Sequence, residues 1–374
     1  MHTYEQLGVK RYINAAATLT QYGGSVMDPQ VLDAMLVASQ SYVDIDELQR
    51  HVDERLAQLT RNAAAFVCNG AASGIVLATA AAITGDDASV STRLPFTGGL
   101  RNEVVLPRAG RADYGYAIDL AGGHRVPYGD DTGGTATQLE AAITENTVAV
   151  FLFYYEHRQE HLPSLVEQSA IARAHGIPLI VDAAAQLPPK ANLWRLTEQG
   201  ADLVLFSGGK GIRGPQSSGL MVGSTGLIER VRAIASPNDG IGRPMKVGKE
   251  ELVGLLTAVE LYLQQDETAV LADYEHQVQL VVDAFRESDV VDVRRGFPSE
   301  AGQPMPWAIV TPKPGTLSMD AKGLAAQLLA GEPGVVVLSR DGSLQINPQT
   351  LLPGQIATVI WCLRDVLDAN RVER

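Results

Sequence analysis

The sequence predicts an α/β fold, a mostly parallel sheet with helices on both faces, joined to a smaller α+β C-terminal domain. Three observations lead there. Between residues 63 and 223, short apolar runs alternate with stretches of helical spacing. Several of those runs end in turns rich in glycine, serine or aspartate. The chain has 374 residues, more than one hydrophobic core usually holds, so two domains are expected. The expected boundaries are an N-terminal arm and helix over 1–46, a large domain over 47–250, and a long linking helix with a small domain over 251–374.

Taken in order, residues 1–27 offer little helical signal and read as an extended arm, with Asn14, Thr18, Thr20 and Gly23–Gly24 along it. Asp28 followed by Pro29 is the pattern of an N-cap with proline at the first helical position, so a helix is expected from Pro29 to about Ser41. Asp44 or Asp46 starts the next, with Leu48, Val52, Leu56 and Leu59 at helical spacing. Residues 63–68 read as the first sheet strand, and Asn69–Gly70 opens a helix. Residues 62–85 carry no charge but are interrupted at Asn69–Gly70, and the remainder is too short to span ~30 Å of hydrocarbon. Further strands are expected at 103–107, 148–153, 177–182, 203–206 and 220–222, with a helix over 165–175. Beyond these, 226–235 reads as a short helix, and 249–264 begins a long one continuing to about 287. The last part mixes strands (307–311, 334–338, 343–346) with helices (321–330, 353–369). There are no repeats or low-complexity tracts.

The stretch from Asp202 to Gly223 organises the rest. Two apolar strands flank a glycine-rich turn that holds one lysine, Lys210, between Gly209 and Gly211. Ser207 precedes it by three residues, so a phosphate fits between the serine hydroxyl and the turn's amides. Upstream, an apolar strand ends in Asp182. A Schiff-base lysine, an acid for a pyridinium nitrogen and a phosphate cradle are what pyridoxal 5'-phosphate requires. Small residues at a strand-to-helix turn let the backbone close on an anion at a helix N-terminus, and Gly70, Ala71 and Ala72 sit at such a turn. A tight packed turn would look the same. Arg213 and Gln216 follow Lys210 closely, and two readings stand: they bind a phosphate or a substrate acid, or they brace the loop. Gln186, four residues after Asp182, is either a contact for the cofactor's phenolic oxygen or a turn residue.

Composition excludes more than it assigns. Net charge is −13 without a basic run, which argues against a nucleic-acid surface and mainly favours solubility. Cys68 and Cys362 are far apart in apolar settings, so no disulfide framework is expected. The first residues lack the basic and apolar regions of a signal peptide, and a cytoplasmic location is expected. His157 to His161 satisfies an H-x-x-E-H zinc pattern, but it follows a strand and meets Pro163, so the helix it needs has no room. No metal site is expected. Gly209–Lys210 is not a Walker A motif, because Gly211 stands where Ser or Thr is required.

Val181–Asp182, Pro188–Pro189, Asn192–Leu193, Gly200 to Val204 and Phe206 to Gln216 resemble the selenocysteine-synthase-like family of pyridoxal-phosphate enzymes, in particular its D-glucosaminate-6-phosphate ammonia-lyase branch. The resemblance runs from Arg11 to Pro348. It implies fold type I, with a seven-stranded sheet, the active site at the strands' carboxyl ends and the cofactor phosphate held by the turn at Gly70. It implies Lys210 as the Schiff-base residue and Asp182 as partner of the pyridine nitrogen. Thr20, Arg213, Arg243 and Arg340 are the substrate-binding candidates; Arg243 reaches a neighbouring subunit's site, and Arg340 takes the substrate carboxylate through its planar fork. For Arg243 and Arg340, ordinary salt-bridging is the competing reading. Where relatives carry a His-Arg pair this chain has Gly110–Arg111, so that histidine's work falls to Arg111, to Tyr114, or to nothing.

The expected reaction is α,β-elimination from a β-hydroxy amino acid or an amino-sugar acid, giving a 2-oxo acid and ammonia. Racemisation, aldol cleavage and transamination start from the same cofactor chemistry, and a non-catalytic cofactor-binding protein is the alternative from another class. Selenocysteine synthesis is disfavoured, because nothing before Asn14 corresponds to that enzyme's tRNA-contacting region. A small-molecule substrate, no nucleic acid, no membrane and at least a homodimer are expected.

Overall fold

The structure, a computed structural model, describes residues 2–109 and 114–372. It divides into two compact units. The larger comprises Met27–Gln265 with Ala301–Gln303, and the smaller Met1–Val26, Asp266–Glu300 and Pro304–Arg374. These segments differ from the expected division at 46 and 250. The N-terminal arm pairs with late parts of the chain. The expected linking helix is two helices, each in its own unit.

In the larger unit, α1 (Pro29–Ser39) begins at Asp28, whose carboxylate accepts the Gln30 N–H at 2.9 Å, and α2 (Ile45–Leu59) begins at Asp44, which accepts from Asp46 and Glu47. These are ordinary aspartate N-caps, legible in the sequence. There follow β2 (Ala64–Cys68), α3 (Gly70–Thr84), β3 (Glu103–Pro107), α4 (Tyr116–Leu120), β4 (His124–Tyr128), α5 (Ala136–Ala142) and β5 (Thr147–Phe153). Then come α6 (Leu165–Ala174), β6 (Leu179–Asp182), α7 (Asn192–Glu198), β7 (Leu203–Ser207), β8 (Gly219–Gly223), α8 (Thr225–Ile234) and α9 (Lys249–Gln264).

The seven strands form one sheet in the order β2-β8-β7-β6-β5-β3-β4. Within it β8 alone runs antiparallel to its neighbours. Successive strand residues face opposite sides. Val105, Val150, Leu152, Val181, Val204 and Phe206 meet α1, α2, α5, α6, α7 and α9 on one side. Val104, Phe151, Ile180, Leu203 and Leu205 meet α3, α4 and α8 on the other. Strands buried on both faces read as unbroken apolar runs, which is why β5, β6 and β7 were legible and the edge strand β4, with His124 and Arg125, was not.

In the smaller unit, β1 (Tyr12–Asn14) pairs in parallel with β11 (Gly334–Val336). A second sheet, β12-β13-β10-β9, is built from β9 (Val291–Gly296), β10 (Trp307–Pro312), β12 (Leu338–Arg340) and β13 (Ser343–Ile346). Its Val310, Ala308, Leu344 and Ile346 side packs on α10 (Glu267–Ala284), α11 (Ala321–Ala330) and α12 (Gln355–Ala369). The single strand expected over 334–338 is thus two short ones in different sheets.

Candidate active site

The carboxyl edge of the large sheet gathers the chemistry-bearing residues. Asp182 is the last residue of β6 and Ser207 the last of β7. Gly219, the first residue of β8, stands in register with both Ser207 and Cys68. Asp182 continues the alternation of Ile180, and Ser207 that of Leu203 and Leu205, so both lie on the α3 face.

Glycine is required where these elements converge. A Cβ on Gly219 would come within 2.7 Å of the Gly70 carbonyl carbon and 3.0 Å of the Ala71 nitrogen. The start of β8 therefore lies directly against the first turn of α3. Gly70 itself has φ +74°, left-handed backbone that side chains disfavour. The Asn69 side chain does not cap α3: its amide donates to the Lys246 carbonyl at 3.1 Å, and the first turn contains no acid. The first-turn N–H groups of α3, at Gly70, Ala71 and Ala72, have no partner inside the helix, and N–H groups so placed at a helix start suit an anion.

The lysine turn is equally constrained. The Gly208 N–H donates to the Ser218 carbonyl at 2.9 Å, and the Gly214 N–H to the Gly208 carbonyl at 2.8 Å. A Cβ on Gly211 would lie 2.5 Å from the Leu187 carbonyl oxygen, and one on Gly209 would meet the Gln216 side chain. Lys210 is half-buried at the centre of this turn, and its carbonyl accepts from the Arg213 N–H at 3.0 Å. Arg213 adopts φ +57°, a left-handed conformation for a residue with a side chain.

Asp182 is buried, and its Oδ1 accepts the Ala184 N–H at 3.0 Å. Burial pushes its carboxyl up to about 6, against the pull of that hydrogen bond and of the Lys210 charge. Gln186 is also buried. Its Nε2 donates to the Ala301 carbonyl at 2.7 Å and its Oε1 accepts the Glu156 N–H at 3.4 Å, so the amide braces the loop after β6. Gln303 reinforces this from Nε2 to the Leu187 carbonyl at 2.6 Å.

Beneath that loop, Asn192 Nδ2 donates to the Gln186 carbonyl at 2.7 Å, and Arg195 joins Asn192 to Glu156. Sequence reading missed the 301–303 segment, because its distance along the chain hides its place in the larger unit. It also missed Asp53, a buried carboxylate on the apolar face of α2. Asp53 accepts the Val67 N–H at 3.1 Å, meets Arg232 at 2.9 Å and so fixes β2 two residues before the cradle turn. The signal available was an aspartate within the Val52 and Leu56 stripe.

Of the remaining candidates, Arg213 is half-buried in the lysine turn, and Gln216 and Arg243 are exposed on the larger unit. Thr20 and Arg340 are exposed residues of the smaller unit. Gly110 and Arg111 lie outside the described residues, and Tyr114 just beyond them is exposed. Among the described residues no cluster of three or more metal-ligating side chains occurs, and no helix is long and apolar enough to cross a membrane.

The donor set fits pyridoxal 5'-phosphate. A buried carboxylate at a strand end suits a pyridine nitrogen, an uncapped helix start suits a phosphate, and a lysine stands in a rigid turn on the neighbouring strand. Fold and site together define a pyridoxal-phosphate-dependent enzyme of fold type I. A family model described as "SelA: L-seryl-tRNA selenium transferase" matches residues 13–271, and the chain belongs to that family. D-glucosaminate-6-phosphate ammonia lyase of Salmonella typhimurium (strain 14028s / SGSC 2262) is 33% identical over 98% of this chain and 98% of its own. The 5'-C-glycyluridine monooxygenase-decarboxylase of a Streptomyces species is 32% identical over 97% of this chain and 92% of its own. A solved structure of D-glucosaminate-6-phosphate ammonia-lyase matches with a TM-score of 0.85 at 33% identity, covering 99% of each chain.

Proposed function

We propose that this enzyme is an ammonia-lyase that acts on a β-hydroxy amino acid or amino-sugar acid of the D-glucosaminate 6-phosphate type. The observation that carries the reading is the likeness to such a lyase over nearly the whole length of both chains, on a site whose own residues suit the cofactor. Bound at this site, pyridoxal phosphate supplies an electron sink for the pair left when an α-proton departs.

The chain's residues do the rest. Lys210 Nζ holds the cofactor and, once released, takes the proton from the substrate's α-carbon and gives it to the departing β-hydroxyl, and the β-carbon then takes a proton from solvent. Asp182, as a carboxylate, keeps the pyridine nitrogen protonated. The α3 turn at Gly70, Ala71 and Ala72, with Ser207, holds the phosphate; Gln186 fixes the loop beside the ring. Arg213 and Arg243, both on the larger unit, bind the substrate's oxygens. The β-carbon–oxygen bond breaks and water leaves; water then adds back at the α-carbon, and ammonia departs to give the 2-oxo acid.

A homodimer is part of this reading. Leu36, Val37, Tyr42 and Val43 stand exposed on α1 and the turn after it, an apolar strip suited to a second copy. Two free, buried cysteines agree with a reducing cytoplasm, and the net charge of −13 favours a small molecule over tRNA.

The test offers the holoenzyme D-glucosaminate 6-phosphate and a panel of D- and L-β-hydroxy amino acids. Ammonia and 2-oxo acid are expected in equal amounts, without oxygen uptake or carbon dioxide release. Lys210→Ala should lose the cofactor's absorption band and at least ~10³-fold of the rate. Oxygen-dependent release of carbon dioxide would overturn the lyase reading in favour of the chemistry named for the Streptomyces relative.

A further inference from the structure

We propose that Asp53 is a positioning residue for cofactor binding. Through the backbone of Val67 it holds the end of β2, and with it the turn at Gly70. Asp53 thereby deepens the reading of Gly70, Ala71 and Ala72 as the phosphate holder, and its role rests on that reading. The residue is 1% exposed, and no step of the proposed reaction uses it. It and its partners all belong to the larger unit.

β2 is an edge strand of the seven-stranded sheet, bonded on one side only, to β8. In an antiparallel pair, alternate residues turn their N–H and C=O groups away from the partner strand. On an edge those groups face no strand, and where they are buried they need another partner. Val67 is such a residue and is fully buried. α2 supplies its partners. Asp53 Oδ1 accepts the Val67 N–H at 3.1 Å, while Gln49 Nε2 donates to that same Oδ1 at 2.8 Å and to the Val67 carbonyl at 3.4 Å. Two side chains one helical turn apart thus do for Val67 what a neighbouring strand would do.

On its other oxygen Asp53 meets Arg232 of α8 at 2.9 Å, and that guanidinium lies 5.6 Å from the Phe66 ring. The carboxylate so joins α2 and α8 to the last residues of β2. Buried ion pairs contribute little net stability, and their best-attested use is to fix register. The register fixed here sets Val67 opposite Leu220 and Cys68 opposite Gly219. Gly219 is the residue that lies against the Gly70 and Ala71 backbone. Only Asn69 separates β2 from α3, so a shift of the strand end passes directly to the first-turn N–H groups.

The test separates the phosphate from the rest of the cofactor. Cofactor is removed from the holoenzyme, and the full chain is titrated with pyridoxal 5'-phosphate and with pyridoxal, which has the same ring and aldehyde but no phosphate. Absorbance reports the bond to Lys210. Burial raises the Asp53 carboxyl to about 7 against the pull of Arg232, so titrations at about pH 8.5 keep it ionised. Asp53→Leu keeps the bulk and removes the oxygens. It should weaken pyridoxal phosphate about tenfold, the scale of one hydrogen bond to a charged group, and leave pyridoxal unchanged. Asp53→Asn keeps an oxygen for the Val67 N–H and gives up the ion pair, with a cleft of about 260 Å³ for Arg232 to turn into. It should lower the melting temperature yet hold pyridoxal phosphate within about twofold.

Gln49→Met keeps the side chain's length and removes the amide. It should weaken pyridoxal phosphate about threefold with pyridoxal unchanged, and it decides the matter where Asp53→Leu does not fold. Asp320→Ala removes the cap of α11 in the smaller unit, which accepts the Gly323 N–H at 2.8 Å, and should lower the melting temperature without moving either affinity. Equal weakening of both aldehydes, or affinity that falls in step with melting temperature across the four variants, overturns the proposal. If the unaltered protein binds the two aldehydes equally, the phosphate reading of the Gly70 turn fails and the role of Asp53 with it. If it prefers the phosphate, and Asp53→Leu and Gln49→Met keep that preference in full, the role of Asp53 alone fails.

Discussion

In the proposed role of Asp182 as partner of the pyridine nitrogen, one buried carboxyl links stability to cofactor binding. Its folded value of about 6 lies above that of an unfolded aspartate, near 3.9. The neutral carboxyl therefore stabilises the cofactor-free protein fully below pH ~4, and that contribution is lost as pH rises through about 6, roughly 3 kcal/mol in all. Asp182→Asn should flatten the stability profile of the cofactor-free protein over that window, as read by denaturant melts at several pH values. The ionised form is the one that pairs with a protonated pyridine, so cofactor affinity should fall as pH drops below about 6, and the asparagine variant should lack that step. Gly219 offers a steric counterpart. Gly219→Ala places a methyl against the Gly70 and Ala71 backbone and should cost about 1–3 kcal/mol in thermal melts, with weaker cofactor binding. An unchanged cofactor affinity would show that the cradle does not depend on that close approach.

At the level of elements, helix starts marked by Asp28 and Asp44 were readable because a short acid supplies its bond locally. The long helix expected from 249 to 287 shows the opposite case. It breaks at Gln265, which is extended, and restarts at Asp266, whose carboxylate accepts the Thr268 and Ala269 N–H groups at 3.0 and 3.2 Å. Lys190, about 75 residues away in sequence, closes the end of α9 by donating to the Leu263 and Gln265 carbonyls. Helical periodicity continues across the break and hides the local Asp266 cap, and the long-range partner fixes the end of α9. Asp266→Ala should destabilise by about 1 kcal/mol in chemical denaturation, and no loss would show that the cap is idle. The strand β9 went unread for a related reason. It alternates Val291 and Val293 with Asp292 and Arg294, and its exposed half dilutes the apolar signal.

For the molecule as a whole, the exposed strip on α1 makes a direct prediction. Val37→Glu together with Leu36→Asp should convert a dimer to a monomer in light scattering, with loss of activity if Arg243 serves a partner's site. A wild-type monomer would remove that part of the reading. The lysine turn, Asp182 at its strand end and the Gly70 turn were all legible in the sequence. Each is a local arrangement: an apolar run that must be buried, followed at once by a residue whose backbone freedom or charge has a chemical use. What only the tertiary structure decided is which distant pieces come together. The 301–303 strap joins the Gln186 loop, Asp53 braces β2, the arm at Tyr12–Asn14 pairs with Gly334–Val336, and Arg294 shares a sheet face with Arg340. Those juxtapositions depend on hydrogen bonds and strand register between segments far apart in the chain, and neither leaves a periodic mark on the residues that make them.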